Sequence, residues 1–457
     1  MLAGRPILTA AAMRAAEARV IDAGTSVEAL MARVGAAVAE QVRRLAAGAE
    51  VLVLCGPGNN GGDGYVVAST LRRNGHPVRV VAHGEPRGAA AAAAQAGWGA
   101  AAESLTGAWA APVMVDALFG IGLSRPLGAE VQRGLATIAG EARLRLAVDV
   151  PSGVGSDDGA ALGACAMDVT FALGALKPAH VLYPAAEFCG AVRLLDIGVP
   201  ADAPLRVASP PVIAEPDGGA HKFNRGMVAV IAGTMPGAGA LAAAGAARGG
   251  AGYVLLLGSA TDRVPHAIVR RRFDGHALAD ERIGAVVVGP GLGRDDAARA
   301  KLDAAIASAY PLVIDGDALH FLVGRSFADR AAPVILTPHA GEFAKLFGAG
   351  EGSRIDRARA AARSSGAILV LKGADTIVAA PDGRAEIHPN GSGWLSTAGT
   401  GDVLAGVIGA RLAASGDGFA AASAGVWLHA VAAHLIGTSF IADDLAAALP
   451  QAIARCR

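Results

Sequence analysis

The chain has little charge, few aromatic residues and few cysteines. Charged residues make up 18% of its 457 positions and aromatic ones 4%. Lys+Arg and Asp+Glu are balanced at 40 each, so the formal net charge is zero. No basic stripe or polybasic tail stands out, which argues against a nucleic acid partner. The four cysteines, Cys55, Cys165, Cys189 and Cys456, form no C-x-x-C pair and have no zinc-ligand spacing. That pattern speaks against a disulfide framework and fits a reducing compartment. Arg14, Glu17 and Arg19 interrupt the N-terminal stretch, which therefore lacks the apolar core of a secretory signal. A cytoplasmic location is expected.

Core-forming material is abundant. Hydrophobic residues make up 53% of the chain, and there are 62 glycines. A length of 457 residues suggests two domains at roughly 100–200 residues each. Mean hydropathy is +0.42, and the most apolar stretch runs from Phe419 to Ile441. It contains His429, His434, Ser423, Thr438 and Ser439, and much of the rest is alanine. It reads as one or two buried helices, so no membrane partner is expected. The small-residue helices permit close subunit contacts, and a homo-oligomer is expected.

Helical patterning covers residues 7–44, with a turn at Asp22-Ala-Gly24 and Thr25 or Ser26 capping a second helix. Short apolar runs follow: Val51–Cys55, Val78–Val81, Val113–Val115, Leu144–Val148, Asp168–Phe171 and Ala191–Leu195. Helical segments separate most of them, the alanine run Ala89–Ala94 among these. This alternation predicts a doubly wound parallel sheet. Pro200, Pro204, Pro210, Pro211 and Pro216 then mark a linker. The boundary is placed near residue 212, giving domains 1–211 and 212–457. Beyond it the alternation restarts at Met227–Ala232, Tyr253–Leu257, Ala285–Val288, Leu312–Ile314, Val334–Leu336, Ile368–Leu371 and Thr376–Ala379. From Gly401 onward the pattern is mostly helical.

Three strand ends in the first half carry chemistry. Cys55 leads into Gly56-Pro-Gly-Asn59-Asn60-Gly61-Gly62-Asp63-Gly64. A Gly-rich loop between strand and helix presents backbone N–H groups to a phosphate or pyrophosphate. Its formal G-x-G-x-x-G match is a weak signal alone, whereas two amides and a carboxylate in one loop are more specific. Asp116 ends the third run, and Asp149 opens Asp149-Val-Pro-Ser152-Gly. Ligands of open α/β sheets bind at the carboxyl ends of strands, so the three ends converge on one crevice. Each Asp alone could simply cap a following turn or helix.

These segments, with Gly174-Ala-Leu-Lys177-Pro, closely resemble the NAD(P)H-hydrate epimerase family over residues 7–200. The resemblance implies that Asn59, Asn60, Gly61, Gly62 and Asp63 bind the hydrated dinucleotide. It adds Gly120, Ile121, Gly122, Leu123, Ser124, Arg125 and Pro126, and Asp149. It also implies a potassium ion held by Asn60, Asp116 and Ser152, one carboxylate with neutral oxygens. Leu30-Met-Ala-Arg-Val-Gly35 departs from the family, which has an acidic residue after the Met. Inverting the hydroxyl-bearing carbon needs an acid/base group. Asp149 is the first choice, being the strand-end carboxylate not required as a metal ligand. Asp63 and Lys177 stand in reserve, and Lys177 reads equally well as an ion-pair partner.

In the second half, Thr397-Ala-Gly-Thr-Gly401-Asp402-Val-Leu-Ala-Gly406 puts a Gly-rich turn at the start of an apolar helix. The N–H groups of Gly399, Thr400 and Gly401 can form an anion hole for a transferring phosphoryl group. Asp402 sits in the first helical turn, placed to take a proton from an attacking hydroxyl. A plain helix cap would explain the Asp but not the Gly-x-Gly before it. Thr337-Pro-His339-Ala-Gly-Glu342, Leu371-Lys372-Gly373-Ala374-Asp375-Thr376 and Gly289-Pro-Gly291-Leu-Gly293 accompany it.

Together these resemble the ADP-dependent NAD(P)H-hydrate dehydratase family, a branch of the ribokinase-like fold, over residues 218–457. The resemblance implies that Ala238, Gly291, His339 and Asp402 bind the hydrated dinucleotide. It implies that Lys372, Gly373, Ala374, Asp375, Thr376 and Gly401 bind the nucleotide, ADP or ATP. Glu342 would act through water on Mg²⁺. Asn390-Gly-Ser-Gly-Trp394 departs from the family's Asn-Pro-Gly. The expected architecture is therefore a Rossmann-like doubly wound sheet followed by a ribokinase-like α/β domain. The expected function is epimerisation of hydrated NAD(P)H and its dehydration to NAD(P)H, giving AMP and phosphate. Two rivals are a ribokinase-like kinase for a small alcohol, which shares the Gly-x-Gly-Asp turn, and a first half that only binds or scaffolds.

Overall fold

The computed structural model describes residues 2–258, 264–389 and 391–456. The chain divides into two compact units, Met1–Leu205 and Arg206–Arg457. The division falls a few residues before the boundary expected near 212. Arg206 and Val207 already belong to a strand of the second sheet, so the prolines from Pro210 onward lie inside the second unit.

The first unit opens with helices α1 (Ala10–Asp22) and α2 (Val27–Ala46). Thr9 caps α1 and Ser26 caps α2 through their side-chain oxygens. Arg43 and Arg44 sit in the last turn of α2, where cations favour the helix dipole. Then follow β1 (Val51–Cys55), α3 (Asn59–Arg73), β2 (Val78–Ala82), α4 (Ala89–Trp98), β3 (Glu103–Ser104) and β4 (Val113–Ala117). The unit is completed by α5 (Ala129–Glu141), β5 (Leu144–Val148), β6 (Val169–Leu173), α6 (Ala185–Cys189) and β7 (Ala191–Leu195). The sheet order is β3-β2-β1-β4-β5-β6-β7, and every pair is parallel. The order reverses between β1 and β4, which opens the crevice where doubly wound sheets take their ligands. Register fixes what meets there: Cys55 lies beside Ala117, and Asp116 beside Ala147. β1, β4 and β6 are buried along their whole length, as continuous apolar runs in a parallel sheet should be.

The second unit contains β8 (Leu205–Val207), β9 (Met227–Ile231), α7 (Pro236–Arg248), β10 (Tyr253–Leu257), β11 (Val269–Arg271) and β12 (Ile283–Val288). Next come α8 (Asp296–Ala307), β13 (Leu312–Ile314), β14 (Val334–Leu336), α9 (Ala340–Phe347), α10 (Arg354–Ser365), β15 (Ile368–Leu371), β16 (Thr376–Ala379) and β17 (Ala385–His388). Helices α11 (Thr400–Ser415), α12 (Gly418–Ile436) and α13 (Ala442–Ala454) close the chain. The ten-stranded sheet runs β11-β10-β9-β12-β13-β14-β15-β16-β17-β8, parallel from β11 to β15 and antiparallel at β15–β16 and β16–β17.

Helix α11 is drawn close to α7 by glycine. A Cβ on Gly406 would lie 2.0 Å from the Ala242 carbonyl oxygen, and one on Gly245 2.5 Å from that of Val403. This contact places the N-terminus of α11 over the sheet. Among the described residues, α12 alone is long and apolar enough to cross a membrane, and 61% of its apolar window is buried. Four strands escaped the sequence patterns: β3, β8, β11 and β17. They are two to four residues long, and β3, β8 and β11 carry charged residues at sheet margins.

Candidate functional sites

The first unit holds a cavity of about 440 Å³ at the β1/β4 crevice. Asn59, Asn60, Asp63, Gly120, Ile121, Gly122, Leu123 and Asp149 line it. Lys177 lines it too, and α1 contributes Arg14 and Glu17. Ser124, Arg125 and Pro126 are exposed and stand outside the lining. Gly61 and Gly62 also serve a different purpose from the one expected. A Cβ on Gly61 would come 1.8 Å from the Gly56 carbonyl oxygen, and one on Gly62 2.6 Å from Met31 Cε. They let the start of α3 pack against its own loop and α2, which keeps the helix N-terminus beside the cavity. Gly61→Ala is therefore expected to destabilise the first unit by about 1–3 kcal/mol, the usual cost of overpacking. Calorimetry checks this, and an unchanged unfolding transition would contradict it.

Asp149 is the centre of this site. Its φ is +68°, a left-handed conformation that non-glycine residues adopt reluctantly. Its Oδ1 is 2.5 Å from Lys177 Nζ, and the same ammonium donates to the Leu173 carbonyl at 2.7 Å. Both side chains are nearly fully buried. Lys177 is thus the ion-pair partner of Asp149 and also faces the cavity. Burial, then the Asp149 charge and Glu17, push the Asp63 carboxyl well above the usual range. Burial and Asp149 also raise Glu17. Three carboxyls therefore crowd one ammonium, which favours the protonated form of Asp63.

Behind the cavity Asp116 is fully buried. Ser152 donates to it twice, from N to Oδ2 at 2.8 Å and from Oγ to Oδ1 at 2.6 Å. Leu118 N donates to Oδ1 at 3.1 Å. Burial still raises its pKa above the ordinary value, although the Ser152 bonds pull it down. Asn60 Nδ2 is buried without a hydrogen-bond partner. A Cβ on Gly120 would lie 3.3 Å from both Asn60 Oδ1 and Asp149 Oδ2, so these three residues converge.

In the second unit, the residues just beyond four adjacent parallel strands are Gly289 (β12), Asp315 (β13), Thr337 (β14) and Lys372 (β15). Lys372 Nζ donates to Asp315 Oδ1 at 2.7 Å, and Thr337 Oγ1 donates to the same oxygen at 2.6 Å. Burial opposes the Lys372 charge, but Asp315, with Glu342 and Asp402 behind it, outweighs burial and raises its pKa. Gly401 closes over this pair: a Cβ there would be 3.5 Å from Lys372 Nζ. Asp402 lies in the first turn of α11, whose N-cap Gly399 has φ +88° and no side-chain cap. Burial, then the Asp315 charge, push the Asp402 carboxyl up to about 7, although Lys372 pulls against them. The carbonyl of Thr400 is held by His429 Nε2 at 2.9 Å, and burial drops that imidazole to about 4, so it is neutral.

His339 is the N-cap of α9, its Nδ1 accepting from Gly341 N at 3.0 Å, and it is mostly exposed. Glu342 Oε2 accepts in return from His339 N at 2.9 Å. His339 and Lys372 also pair as a parallel bridge, so the two segments are joined. Gly291 packs against Ala238, where an added Cβ would be 2.8 Å from the Ala238 Cβ. Within the 372–376 turn, Thr376 Oγ1 donates to the Gly373 carbonyl at 3.2 Å. Asp375 also has a structural role. It is buried and paired to Arg354 at 2.5 Å, which makes it a brace for the turn. Asn390, which opens the Asn390–Trp394 segment, lies outside the described residues.

The sequence reading missed Glu17, Asp315 and His429. Asp315 carried the same signal as Asp116 and Asp149, a carboxylate closing an apolar strand. Glu17 carries no such mark, since α1 precedes every strand.

A family model described as the YjeF-related protein N-terminus matches residues 27–179, and one described as NAD(P)H-hydrate dehydratase matches residues 228–455. A bifunctional NAD(P)H-hydrate repair enzyme of Gloeobacter violaceus is 37% identical over 93% of this chain and 92% of its own length. The chain belongs to the family of bifunctional NAD(P)H-hydrate repair enzymes. The repair enzyme of Mycobacterium tuberculosis (strain ATCC 25618 / H37Rv) is also 37% identical, over 88% of each chain. Among solved structures, an ADP/ATP-dependent NAD(P)H-hydrate dehydratase of Bacillus subtilis, co-crystallised with ATP/Mg²⁺, is 30% identical with a TM-score of 0.49, covering 54% of this chain and 95% of that one. The two units are thus the isomerase and lyase halves of a repair enzyme, one α/β sheet to each.

Proposed function

We propose that the first unit epimerises hydrated NADH and NADPH at the β1/β4 cavity and that the second dehydrates one epimer at the expense of ADP. The observation that carries this reading is Asp402, a half-buried carboxyl raised to about 7 at a glycine-capped helix N-terminus beside the Lys372–Asp315 pair. A base with a pKa near the working pH is matched to taking a proton from a hydroxyl. The ring hydroxyl, losing its proton to Asp402, attacks the terminal phosphoryl group of ADP and releases AMP. The C–O bond then breaks as the ring nitrogen donates its electron pair, phosphate leaves, and loss of a proton from the neighbouring carbon restores the dihydropyridine. The N–H groups at the start of α11 and the Lys372 ammonium face the phosphoryl charge. Fixed groups of that kind supply most of the catalysis in phosphoryl transfer.

The nucleotide contacts are assigned to Lys372, Gly373, Ala374, Thr376 and Gly401, and those to the hydrated ring to Ala238, Gly291, His339 and Asp402. Mg²⁺ suits this half: Glu342 commits Oε2 to His339 N, and its Oε1 can accept from a metal-bound water. When bound, it neutralises phosphate charge. Potassium suits the first half, where Asp116, Ser152 and Asn60 offer one carboxylate and neutral oxygens. The unpartnered Asn60 Nδ2 supports this, because turning the amide over presents Oδ1 instead. When bound, the cation would offset the buried Asp116 charge. Cytoplasmic residence is supported by the four cysteines, all free.

Dehydration should release AMP and phosphate in step with reduced nicotinamide, which chromatography reads directly. The pH dependence follows from Asp402. The base must be ionised, so kcat should rise with pH through an apparent pKa near 7 and then level off. A profile already flat at about pH 5, as for an ordinary carboxylate, would contradict the assignment. A stable phosphorylated alcohol as the final product would favour a small-molecule kinase instead.

A further inference from the structure

We infer that His180 is a positioning residue of the first site, holding Asp149 and Lys177 in working register while itself standing outside the cavity. The inference rests on the epimerase reading of that cavity. His180 is 4% exposed and is not among the residues lining the cavity. It ends the short 3-10 turn Pro178–His180. Its two ring nitrogens bond to the backbones of the two residues that form the buried ion pair. Nδ1 accepts from Lys177 N at 2.9 Å, and Nε2 is 2.7 Å from the Asp149 carbonyl oxygen.

These partners settle the tautomer. An amide N–H can only donate, so Nδ1 carries no proton. A carbonyl can only accept, so Nε2 carries it. A second proton would set Nδ1–H against the Lys177 N–H. Burial, followed by the Lys177 charge, lowers the imidazole to about 4, in keeping with that geometry.

Asp149 needs such a clamp. Its φ of +68° puts a non-glycine residue in a strained conformation, which persists only where the surroundings hold it. Asp149 N donates to the Phe171 carbonyl at 2.9 Å, and its own carbonyl is taken by His180. The backbone is thereby pinned on both sides of Cα, and the carboxylate is aimed at Lys177. Lys177 is pinned likewise, by His180 at its backbone and by Leu173 at its ammonium. One imidazole therefore sets the relative placement of an acidic and a basic group that face the same cavity.

The test uses the full chain, whose dehydratase half reports on the integrity of each preparation. His180→Leu removes both bonds. His180→Gln can still donate and accept through its amide. Epimerisation by His180→Leu should fall at least tenfold in kcat, with KM changed much less and dehydration of the pure reactive epimer unchanged. His180→Gln should recover most of the loss. Nitrogen NMR of the wild-type ring should show the neutral form protonated at Nε2. Should His180→Leu fail to fold, His180→Gln and the NMR signal still decide. Wild-type kcat in His180→Leu, a loss confined to KM, or an Nδ1-protonated ring would overturn the inference. A wild-type protein with no epimerase activity would instead overturn the reading on which it rests.

Discussion

Asp402→Asn is expected to lower the rate of dehydration by about 100- to 10,000-fold, the range that a positioned general base contributes. The amide keeps the shape of the carboxylate but cannot accept the hydroxyl proton. Two further outcomes make the result specific. The pH dependence near neutrality should vanish with the group that titrates there. Affinity for ADP should stay close to wild type, because the nucleotide contacts proposed above do not include the Asp402 side chain. Single-turnover rates and calorimetric titration of ADP provide the check. An Asp402→Asn protein that retained half the wild-type rate would mean that the proton leaves by another route. The epimerase half of the same protein serves as the internal standard.

Asp149→Asn should have an effect of similar size on the other half. Epimerisation should fall by about 100- to 10,000-fold, while dehydration of the pure reactive epimer is unchanged. This substitution carries a structural cost as well. Lys177 is 1% exposed, and removing its counter-charge leaves a buried ammonium facing an amide. Breaking a buried pair in this way costs about 3–5 kcal/mol, an upper figure here because the Leu173 carbonyl still accepts from Lys177. Activity should therefore be read well below the variant's own unfolding midpoint. Wild-type epimerisation in a folded Asp149→Asn protein would remove Asp149 from the chemistry. Glu17 and Asp63 would then be the carboxyls to examine, since both face the cavity.

Much of this was legible in the sequence. The strand–helix alternation predicts two α/β units, and β1, β5, β7, β10, β13, β14, β15 and β16 have the bounds read from their apolar runs. Most such strands are legible because both faces of a parallel sheet are buried, although β7 is a partly exposed edge strand and β16 pairs antiparallel. Edge strands such as β11 and β3 have one side without a neighbour, carry charge, and leave no such run. Asp116, Asp149 and Asp402 could be found because each follows a local rule, a carboxylate closing a strand or opening a helix. Glu17 and His180 follow no local rule. Glu17 reaches the cavity from a helix that precedes the sheet, and His180 matters only because a turn brings it back under Asp149. Gly61 and Gly62 carry a second role that the motif does not reveal. The loop needs them for packing, which only the neighbouring Gly56 and Met31 reveal.

The most direct test of the two-site account is recovery of the reduced-nicotinamide absorbance from a racemic mixture of hydrated NADH, with ADP, Mg²⁺ and K⁺ present. Two working halves predict full recovery, because the first converts the epimer that the second cannot use. Recovery that stops near one half, beyond what spontaneous epimerisation adds, would contradict the assignment of the first unit. No recovery with either ADP or ATP would contradict the account as a whole.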